Sequence, residues 1–284
     1  MSQLVGAYDG RFGRLYAVTT SRRQVAHAHQ EWQFIFHLHG PIADFRVEGT
    51  PVPLSEGEVL AIPPWTTHAK AYGVEGPCSM LSLLVSAAWY RDAQVTSLLR
   101  TENAVWCSTF SDRVRRLLER LSTIVAVDGE SSDAEFESDF ARLVATVVLE
   151  HSSAPRRRQM APRARRIDHR IRKALDIIRN SKTPDIKLDE VARKVGLSRS
   201  HFYKRFKECV GTSPLHVVDS ARIGRAIRML GETDEPIAAL AEQLGFSTQG
   251  HFTRFFVQHL FIPPTQYRAW LRAEPRTAIR VARN

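Results

Sequence analysis

The sequence predicts a protein of two domains, a β-rich N-terminal domain followed by two helices and then an all-α C-terminal domain. Short apolar runs broken by glycine and proline occupy the first hundred residues, and helical spacing replaces them after residue 110. The charge changes as well. Residues 1–150 carry 13 Lys/Arg against 18 Asp/Glu, a net of −5, whereas residues 151–284 carry 27 against 12, a net of +15. The 284 residues are enough for two such domains.

The clearest strand lies at residues 32–39, where Trp32, Phe34, Phe36 and Leu38 alternate with the residues between them. This period of two is typical of a β-strand. Further short apolar runs occur at residues 47–52, 59–62 and 81–85. Many short strands with such interruptions predict a small barrel or sandwich.

Two amphipathic helices are predicted after the strands. Apolar residues follow the spacing of a helix from Val114 to Val125 and again from Phe136 to Val147. Two antiparallel helices here would either complete the N-terminal domain or pair with a second subunit. Homodimerisation through residues 112–150 is therefore one hypothesis.

The domain boundary is predicted at residues 152–166, which hold two prolines, six arginines and few apolar side chains. This composition is typical of a linker, and contact of its arginines with phosphate is the alternative. We therefore predict a sensor and dimerisation domain at residues 1–151, a basic linker at 152–166, a helical domain at 167–272 and a basic tail at 273–284.

The basic half of the chain predicts a polyanionic partner, either nucleic acid or an anionic membrane surface. The wide spacing of Cys78, Cys107 and Cys209 gives no metal or redox motif and favours reduced thiols. The N-terminus has no apolar core of signal-peptide length, and no apolar run approaches the ~18 residues of a membrane span. We expect a cytoplasmic protein.

The C-terminal domain contains an internal repeat. Each copy has apolar residues at i, i+3, i+4 and i+7, a turn of Gly, an apolar residue and Ser, and a second helical stretch with two phenylalanines. The first copy comprises Leu188, Val191, Ala192, Val195, Gly196-Leu197-Ser198, Phe202 and Phe206; the second comprises Ile237, Leu240, Ala241, Leu244, Gly245-Phe246-Ser247, Phe252 and Phe256. The second copy has one more residue between its glycine and its phenylalanines. The pattern predicts two helix-turn-helix units.

The turn residues indicate how each unit is built. Glycine permits the sharp turn, and we expect Ser198 and Ser247 to cap the second helices with their hydroxyl groups. The stretch from Pro214 to Leu230 predicts one long helix between the units. Both second helices would then enter successive major-groove segments about 34 Å apart. The repeat therefore favours DNA over a membrane as the partner.

The repeat resembles that of the AraC/XylS family of transcription regulators. The resemblance is carried by Pro236-Ile237-Ala238, by the stretch from Leu244 to Arg254 and by Pro263-Pro264-Thr265-Gln266-Tyr267-Arg268, within about residues 165–272. Gly250 and the stretch Leu260-Phe261-Ile262-Pro263 depart from the family pattern. The resemblance implies a sequence-specific regulator, more often an activator, that binds double-stranded DNA and works with RNA polymerase.

The family resemblance also implies which side chains read the bases. In the first unit these are Arg199, Ser200, Tyr203 and Lys204, and in the second unit Gln249, Thr253 and Arg254. Arg and Lys pair with guanine, Gln pairs with adenine, and Ser and Thr hydroxyls adapt to either. Arg205, Lys207, Arg222 and Arg225 are interpreted as phosphate contacts or salt-bridge partners.

The N-terminal half resembles the sensor domain of the same family and, more loosely, a cupin barrel. His27-Ala28-His29, followed by Gly57, Pro63 and His68, is similar to the two cupin motifs. Metal-binding cupins have Glu four residues after the second His, where this chain has Gln33, a poor ligand for the usual transition metals. We therefore expect no metal and no cofactor. A barrel of this size holds one small effector, and the candidate pocket residues are His27, His29, Gln33, Trp65, His68 and Tyr72.

Three functions are compatible with this organisation. The leading one is a regulator, not an enzyme, that responds to a small-molecule effector. A metal-dependent cupin enzyme fused to a DNA-binding domain would need a bound metal with an open position. A purely architectural DNA-binding protein would lack sequence selectivity.

Overall fold

The structure is a computed structural model, and it describes residues 2–10, 12–73, 75–86, 89, 104–126, 133–153, 158–160, 168–181, 183 and 186–272. Strands come first along the chain, two helices follow, and helices make up the C-terminal half. The predicted fold class is therefore confirmed in its main features.

The strands form two antiparallel sheets. The large sheet has the order β1-β2-β9-β4-β7-β10-β11 and the small sheet the order β3-β8-β5-β6. Their bounds are β1 Ser2–Gly10, β2 Gly13–Thr20, β3 Gln24–His27, β4 Trp32–His39, β5 Ala43–Val47, β6 Thr50–Leu54, β7 Glu58–Ile62, β8 His68–Lys70, β9 Cys78–Val85, β10 Val105–Thr109 and β11 Arg158–Met160.

The two sheets pack against each other. Ile35 and Leu60 of the large sheet share one buried cluster with Phe45 and Val47 of the small sheet. The alternation predicted at residues 32–39 brings alternate side chains of β4 to this interior, and those between them to the opposite face. The cupin-like N-terminal domain is thus built as two facing sheets.

Helices α1 (Asp112–Ala126) and α2 (Asp133–Ser153) cover the other face of the large sheet. Val114, Leu121 and Phe140 are buried in one cluster with Trp32 of β4. The apolar stripes that raised the hypothesis of a dimer are therefore covered within a single chain. Of the two alternatives left open by the sequence, the described helices complete the N-terminal domain.

Part of the segment interpreted as a linker is a strand. β11 pairs with β10, with Met160 opposite Val105 and Arg158 opposite Cys107. These three residues thus extend the large sheet, a contact that the arginine-rich sequence around them did not indicate. Residues 154–157, 161–167 and the predicted tail at 273–284 lie outside the described residues.

The C-terminal domain is helical, and its pattern matches the predicted repeat. The helices are α3 His169–Arg179, α4 Leu188–Lys194, α5 Arg199–Val210, α6 Pro214–Glu232, α7 Ile237–Gln243, α8 Gln249–Leu260 and α9 Pro264–Arg272. The pairs α4–α5 and α7–α8 are the two helix-turn-helix units, and α6 connects them. At 1.5 Å per residue, α6 is about 28 Å long. Within the described ranges, no helix combines the length and the apolar character needed to cross a bilayer.

The turns of the two units differ by one residue, and this changes the cap. Gly196 and Gly245 both adopt positive φ, 69° and 78°. Ser198 Oγ accepts from the backbone N–H of His201, so the predicted first cap is confirmed. The predicted cap at Ser247 is wrong, because the additional residue moves Thr248 into the capping position, where its Oγ1 accepts from the N–H of His251 at 3.1 Å.

The second unit shares its core with the N-terminal domain. Phe256 of α8 and Ile223 of α6 belong to the same buried cluster as Ile35 and Phe45 of the sheets, whereas Phe206 of the first unit lies in a separate cluster. A buried hydrogen bond crosses this interface, since Gln24 Nε2 of β3 donates to the carbonyl of His259 in α8 at 2.5 Å. The two domains therefore form one packed unit through the second helix-turn-helix.

Replacing Gly196 with Ala tests the turn. A Cβ at this position would meet no atom within 4 Å, so the cost is the positive φ alone, about 1–2 kcal/mol of unfolding free energy. Gly250→Ala is the matched control, because Gly250 lies in the first turn of α8 without positive φ and Ala favours a helix. Chemical denaturation should show Gly196→Ala destabilised and Gly250→Ala unchanged or stabilised. Equal stabilities would refute the strained turn.

Replacing Phe256 with Ala tests the shared core. Phe206→Ala is the control, because both rings are fully buried and each packs on a phenylalanine one turn earlier. Each change should cost about 3–5 kcal/mol. Hydrogen exchange should then rise in β3 for Phe256→Ala only, because α8 packs on β3. Equal exchange in the two variants would contradict the shared core.

Candidate functional site

The side chains predicted to read bases lie on the outward faces of α5 and α8. Five of them are exposed, namely Arg199, Ser200, Lys204, Gln249 and Arg254, and two are half-buried, namely Tyr203 and Thr253. The inward phenylalanines of both helices are fully buried and fix this orientation. The two outward faces are accessible to a groove of DNA.

The basic side chains on these helices differ in whether they form ion pairs within the protein. Arg199 forms an ion pair with Asp189 at 2.9 Å and lies 5.9 Å above the ring of Tyr203. Lys204 and Arg254 make no ion pair within the described part of the chain. These two side chains are therefore available to an incoming acceptor without loss of an internal contact.

Three of the four residues interpreted as phosphate contacts or salt-bridge partners have internal contacts. Arg205 bonds to Asp168 and Glu208. Arg222 lies 5.2 Å from the ring centre of Phe246, and Arg225 donates to backbone carbonyls before α4. Their positive charge thus serves to hold the domain together as well as to attract an anion.

A second group of functional side chains lies where β3 and β8 meet. One ring nitrogen from each of His27, His29 and His68 lies within 4.8 Å of the other two. His29 and His68 are buried, and His27 is half-buried. Direct pairing of His27 with His68 across the two strands brings their rings to 4.2 Å. The structure therefore brings together the three histidines that the cupin-like motifs placed in the pocket.

Backbone carbonyls orient the three rings. In each ring Nδ1 faces a carbonyl oxygen. His27 Nδ1 is 2.9 Å from the Val25 carbonyl, His29 Nδ1 is 3.1 Å from the Glu31 carbonyl, and His68 Nδ1 is 2.9 Å from the Thr66 carbonyl. Each of these bonds favours the tautomer with a proton on Nδ1 and a lone pair on Nε2.

Burial keeps these imidazoles neutral. Desolvation lowers the pKa of His68 to about 3, with a further contribution from His29. Desolvation and the neighbouring rings also lower the pKa of His27 well below its usual value, and desolvation lowers the pKa of His29. No proton therefore competes for the lone pairs near neutral pH.

Gln33 extends the cluster into a buried polar network. Its Oε1 lies 3.0 Å from Nε2 of His29, and its Nε2 donates to Ser82 Oγ at 2.8 Å. Tyr16 joins this network through its hydroxyl, and burial raises the pKa of that hydroxyl. Gln33 thus faces the pocket as predicted from strand parity.

The C-terminal domain closes this pocket. His259 and Leu260 of α8 line it together with His27, His29 and Gln33, and its volume is only about 40 Å³. His259 was missed by sequence reasoning because it lies far along the chain from both cupin-like motifs, and no local pattern links it to them. A cavity of this size holds a water or an ion, but not an organic effector.

The other three predicted pocket residues do not line this cavity: His68 lies beside it in the histidine cluster, and Tyr72 and Trp65 lie elsewhere. Tyr72 is 62% exposed and lines none of the cavities described here. Trp65 lines a neighbouring cleft of about 830 Å³ between the domains. Arg179 of α3 lies 4.9 Å above the Trp65 ring, so this contact joins the first helix-turn-helix region to the N-terminal domain.

Positive charge predominates in this cleft. Arg14, Arg225 and Arg228 line it with Arg179, and Glu31 is the acidic residue that lines it. Arg14 and Glu31 are 3.4 Å apart. The cleft therefore combines room for a small molecule with an excess of guanidinium groups.

Two family models match the chain. The AraC-like ligand binding domain matches residues 14–144, and a helix-turn-helix domain matches residues 191–269. The two matches fall on the β-rich domain with its helices and on the repeat.

Curated relatives match about a third of the chain. The lactose operon transcription activator of Staphylococcus xylosus is 30% identical over 102 residues, which is 36% of this chain and 37% of that protein. The multiple antibiotic resistance protein MarA of Salmonella typhimurium is 33% identical over 98 residues, 34% of this chain and 77% of MarA. The chain thus spans little more than a third of the first relative and about three quarters of the second.

A solved structure shares the whole architecture. ToxT from Vibrio cholerae superposes with a TM-score of 0.57 at 13% identity and covers 96% of this chain and 99% of its own. ToxT has also been solved with an unsaturated fatty acid and with (E)-4-(8-methylnaphthalen-1-yl)but-3-enoic acid. By its two domain matches and its likeness to MarA, the chain belongs to the AraC family of transcription regulators.

Proposed function

We propose that this protein is a sequence-specific transcription regulator that binds double-stranded DNA under the control of a small-molecule effector. The observation that carries the proposal is the pair of helix-turn-helix units with accessible second helices, joined to an AraC-like ligand binding domain through a shared core. The net charge of +15 over residues 151–284 supplies the attraction for phosphate.

Base reading is assigned to the outward side chains of α5 and α8. The first helix contributes Arg199, Ser200, Tyr203 and Lys204, and the second contributes Gln249, Thr253 and Arg254. The exposure of Lys204 and Arg254, together with their lack of an ion pair in the described chain, supports direct contacts with base edges. Lys207, which is exposed near the end of α5, is assigned to phosphate.

The effector is assigned to the interdomain cleft lined by Trp65. The excess of arginines there supports an anionic effector, and a guanidinium pairs well with a carboxylate. The two ligands found in ToxT structures are also carboxylic acids, which agrees with this chemistry, although ToxT and this chain share little sequence. Because both domains line the cleft, an occupant can favour one arrangement of the domains over another.

Family membership supplies the remaining parts of the proposal. It supports contact with RNA polymerase, activation as the outcome, a homodimer and a cytoplasmic location, where the three buried free cysteines would stay reduced. A dimer would use surfaces other than the covered stripes of α1 and α2. Catalysis by the histidine pocket is disfavoured, because about 40 Å³ leaves no room for an organic substrate.

Arg254→Ala tests base reading. Loss of the guanidinium should weaken binding to a selected DNA site by about 1–3 kcal/mol and relax the base preference at one position. The control Lys207→Ala should weaken selected and scrambled DNA alike, because phosphate contacts carry no sequence information. Fluorescence anisotropy at fixed salt, on a site enriched from a random pool, measures both. If Arg254→Ala loses affinity equally for selected and scrambled DNA, Arg254 does not read a base.

Gly224→Trp tests the cleft. Gly224 lines the cleft on α6, and a Cβ there would meet no atom within 4 Å, so a side chain added at this position starts in the open space of the cleft. Dodecanoate should bind the wild type and the control Gly224→Ala, and its affinity for Gly224→Trp should fall roughly tenfold or more. Dodecyltrimethylammonium, which has a similar tail and the opposite charge, should bind at least tenfold more weakly to the wild type. Calorimetry that finds the two amphiphiles equivalent, or finds Gly224→Trp unaffected, would exclude an anion site in this cleft.

A further inference from the structure

The histidine cluster has a feature that an organic effector in the cleft does not explain. A neutral imidazole carries one N–H, yet His29 faces an oxygen on each side, the Glu31 carbonyl at 3.1 Å from Nδ1 and Gln33 Oε1 at 3.0 Å from Nε2. Only one of these oxygens can accept a proton from the ring. The other contact is satisfied either by rotation of the Gln33 amide, which turns its NH2 group toward Nε2, or by a cation between the two atoms.

His68 presents a deficit that no rotation of a neighbouring amide removes. Its Nδ1 is satisfied by the Thr66 carbonyl, while its Nε2 is buried and has no hydrogen-bond partner among the described residues. An unpaired buried polar atom carries a desolvation cost of about 1–3 kcal/mol. A group that accepts a lone pair would remove this cost.

From this geometry we infer that His27, His29 and His68 form a binding site for a divalent transition metal ion. Each histidine would bind the ion through its Nε2 atom. Three imidazoles with their Nδ1 protons held by carbonyls are the arrangement that metal-ligating histidines adopt, because the second-sphere bond fixes both the tautomer and the ring. The expectation from the sequence was no metal, since a carboxylate is missing at Gln33. Three neutral imidazoles are a sufficient ligand set by themselves.

The ligand chemistry selects the ion. Imidazole suits zinc, copper, nickel and iron, whereas magnesium and calcium require oxygen ligands. Nitrogens bound to one zinc at about 2.0–2.1 Å in a tetrahedron are roughly 3.4 Å apart. One nitrogen of each ring lies within 4.8 Å of the others, so each separation has to shorten by at most about 1.4 Å. Water or Gln33 Oε1 would take the fourth position. The adjoining cavity of about 40 Å³, which His27, His29 and Gln33 line and His68 does not, has room for such a water.

The position of the site links it to the DNA-binding domain. The His27 ring centre is 6.1 Å from that of His259 in α8, and Gln24 of the same strand bonds to the His259 carbonyl. Metal binding would fix β3 against β8 directly beside the end of this second reading helix. The metal site does not depend on the proposed function, whereas its effect on DNA affinity does.

The test uses untagged full-length protein stripped of metal with EDTA. Calorimetry should show one equivalent of Zn²⁺ bound and no binding of Mg²⁺. Visible absorption should show Co²⁺ bound with low coordination number rather than as the octahedral aquo ion. His68→Gln should weaken Zn²⁺ binding by roughly 100-fold, while the control His37→Gln, a buried histidine outside the cluster, should bind like the wild type.

Several outcomes would overturn the site. Wild-type protein that binds no stoichiometric Zn²⁺, or His68→Gln that binds it unchanged, excludes the assignment. Should His68→Gln fail to give a native circular dichroism spectrum, His27→Gln at the half-buried ligand replaces it with the same expectation, and the Co²⁺ spectrum of the wild type decides independently of any variant. Anisotropy with and without Zn²⁺ then tests the link to α8. If DNA binding is absent with and without the ion, the proposed function fails while the metal site stands.

Discussion

The arrangement of the molecule depends on the apolar contact between the second helix-turn-helix unit and the two β-sheets. Phe256 and Ile223 are buried in the same cluster as the inward residues of the sheets, and each such side chain contributes about 1.5–3 kcal/mol when removed from water. The first unit has its own core and meets the N-terminal domain at its edge, through Trp65. The orientation of α8 is therefore coupled to the β-domain more strongly than that of α5.

Much of the fold was predictable because its determinants are local. Helical and strand periods are read over a few residues, so the strand at 32–39, the helices α1 and α2 and both repeat units follow from spacing alone. The cap of α5 at Ser198 was predictable for the same reason. The cap of α8 was not, because a single additional residue changes which hydroxyl reaches the first free N–H groups, and the sequence offers both Ser247 and Thr248.

The histidine pocket was predictable only for residues on paired strands, where strand parity decides which side chains face the same interior. Parity and the cupin-like motifs placed His27, His29 and His68 together, and the structure does so. Parity does not tell where a chain leaves the sheet, which is why Tyr72, two residues beyond β8, is at the surface. Contacts between the domains, such as Gln24 with His259, have no sequence signature, since they depend on how two finished surfaces fit.

The strand β11 sets how far the two domains can separate. It pairs with β10 through Met160, and α3 begins at His169, so eight residues connect the domains. Fully extended, they reach roughly 28 Å, at about 3.5 Å per residue. A tether this short keeps the C-terminal domain near the sheets at an effective concentration on the order of millimolar. If the contact between α8 and the sheets opens, it re-forms within one molecule, and dilution of the protein does not weaken it.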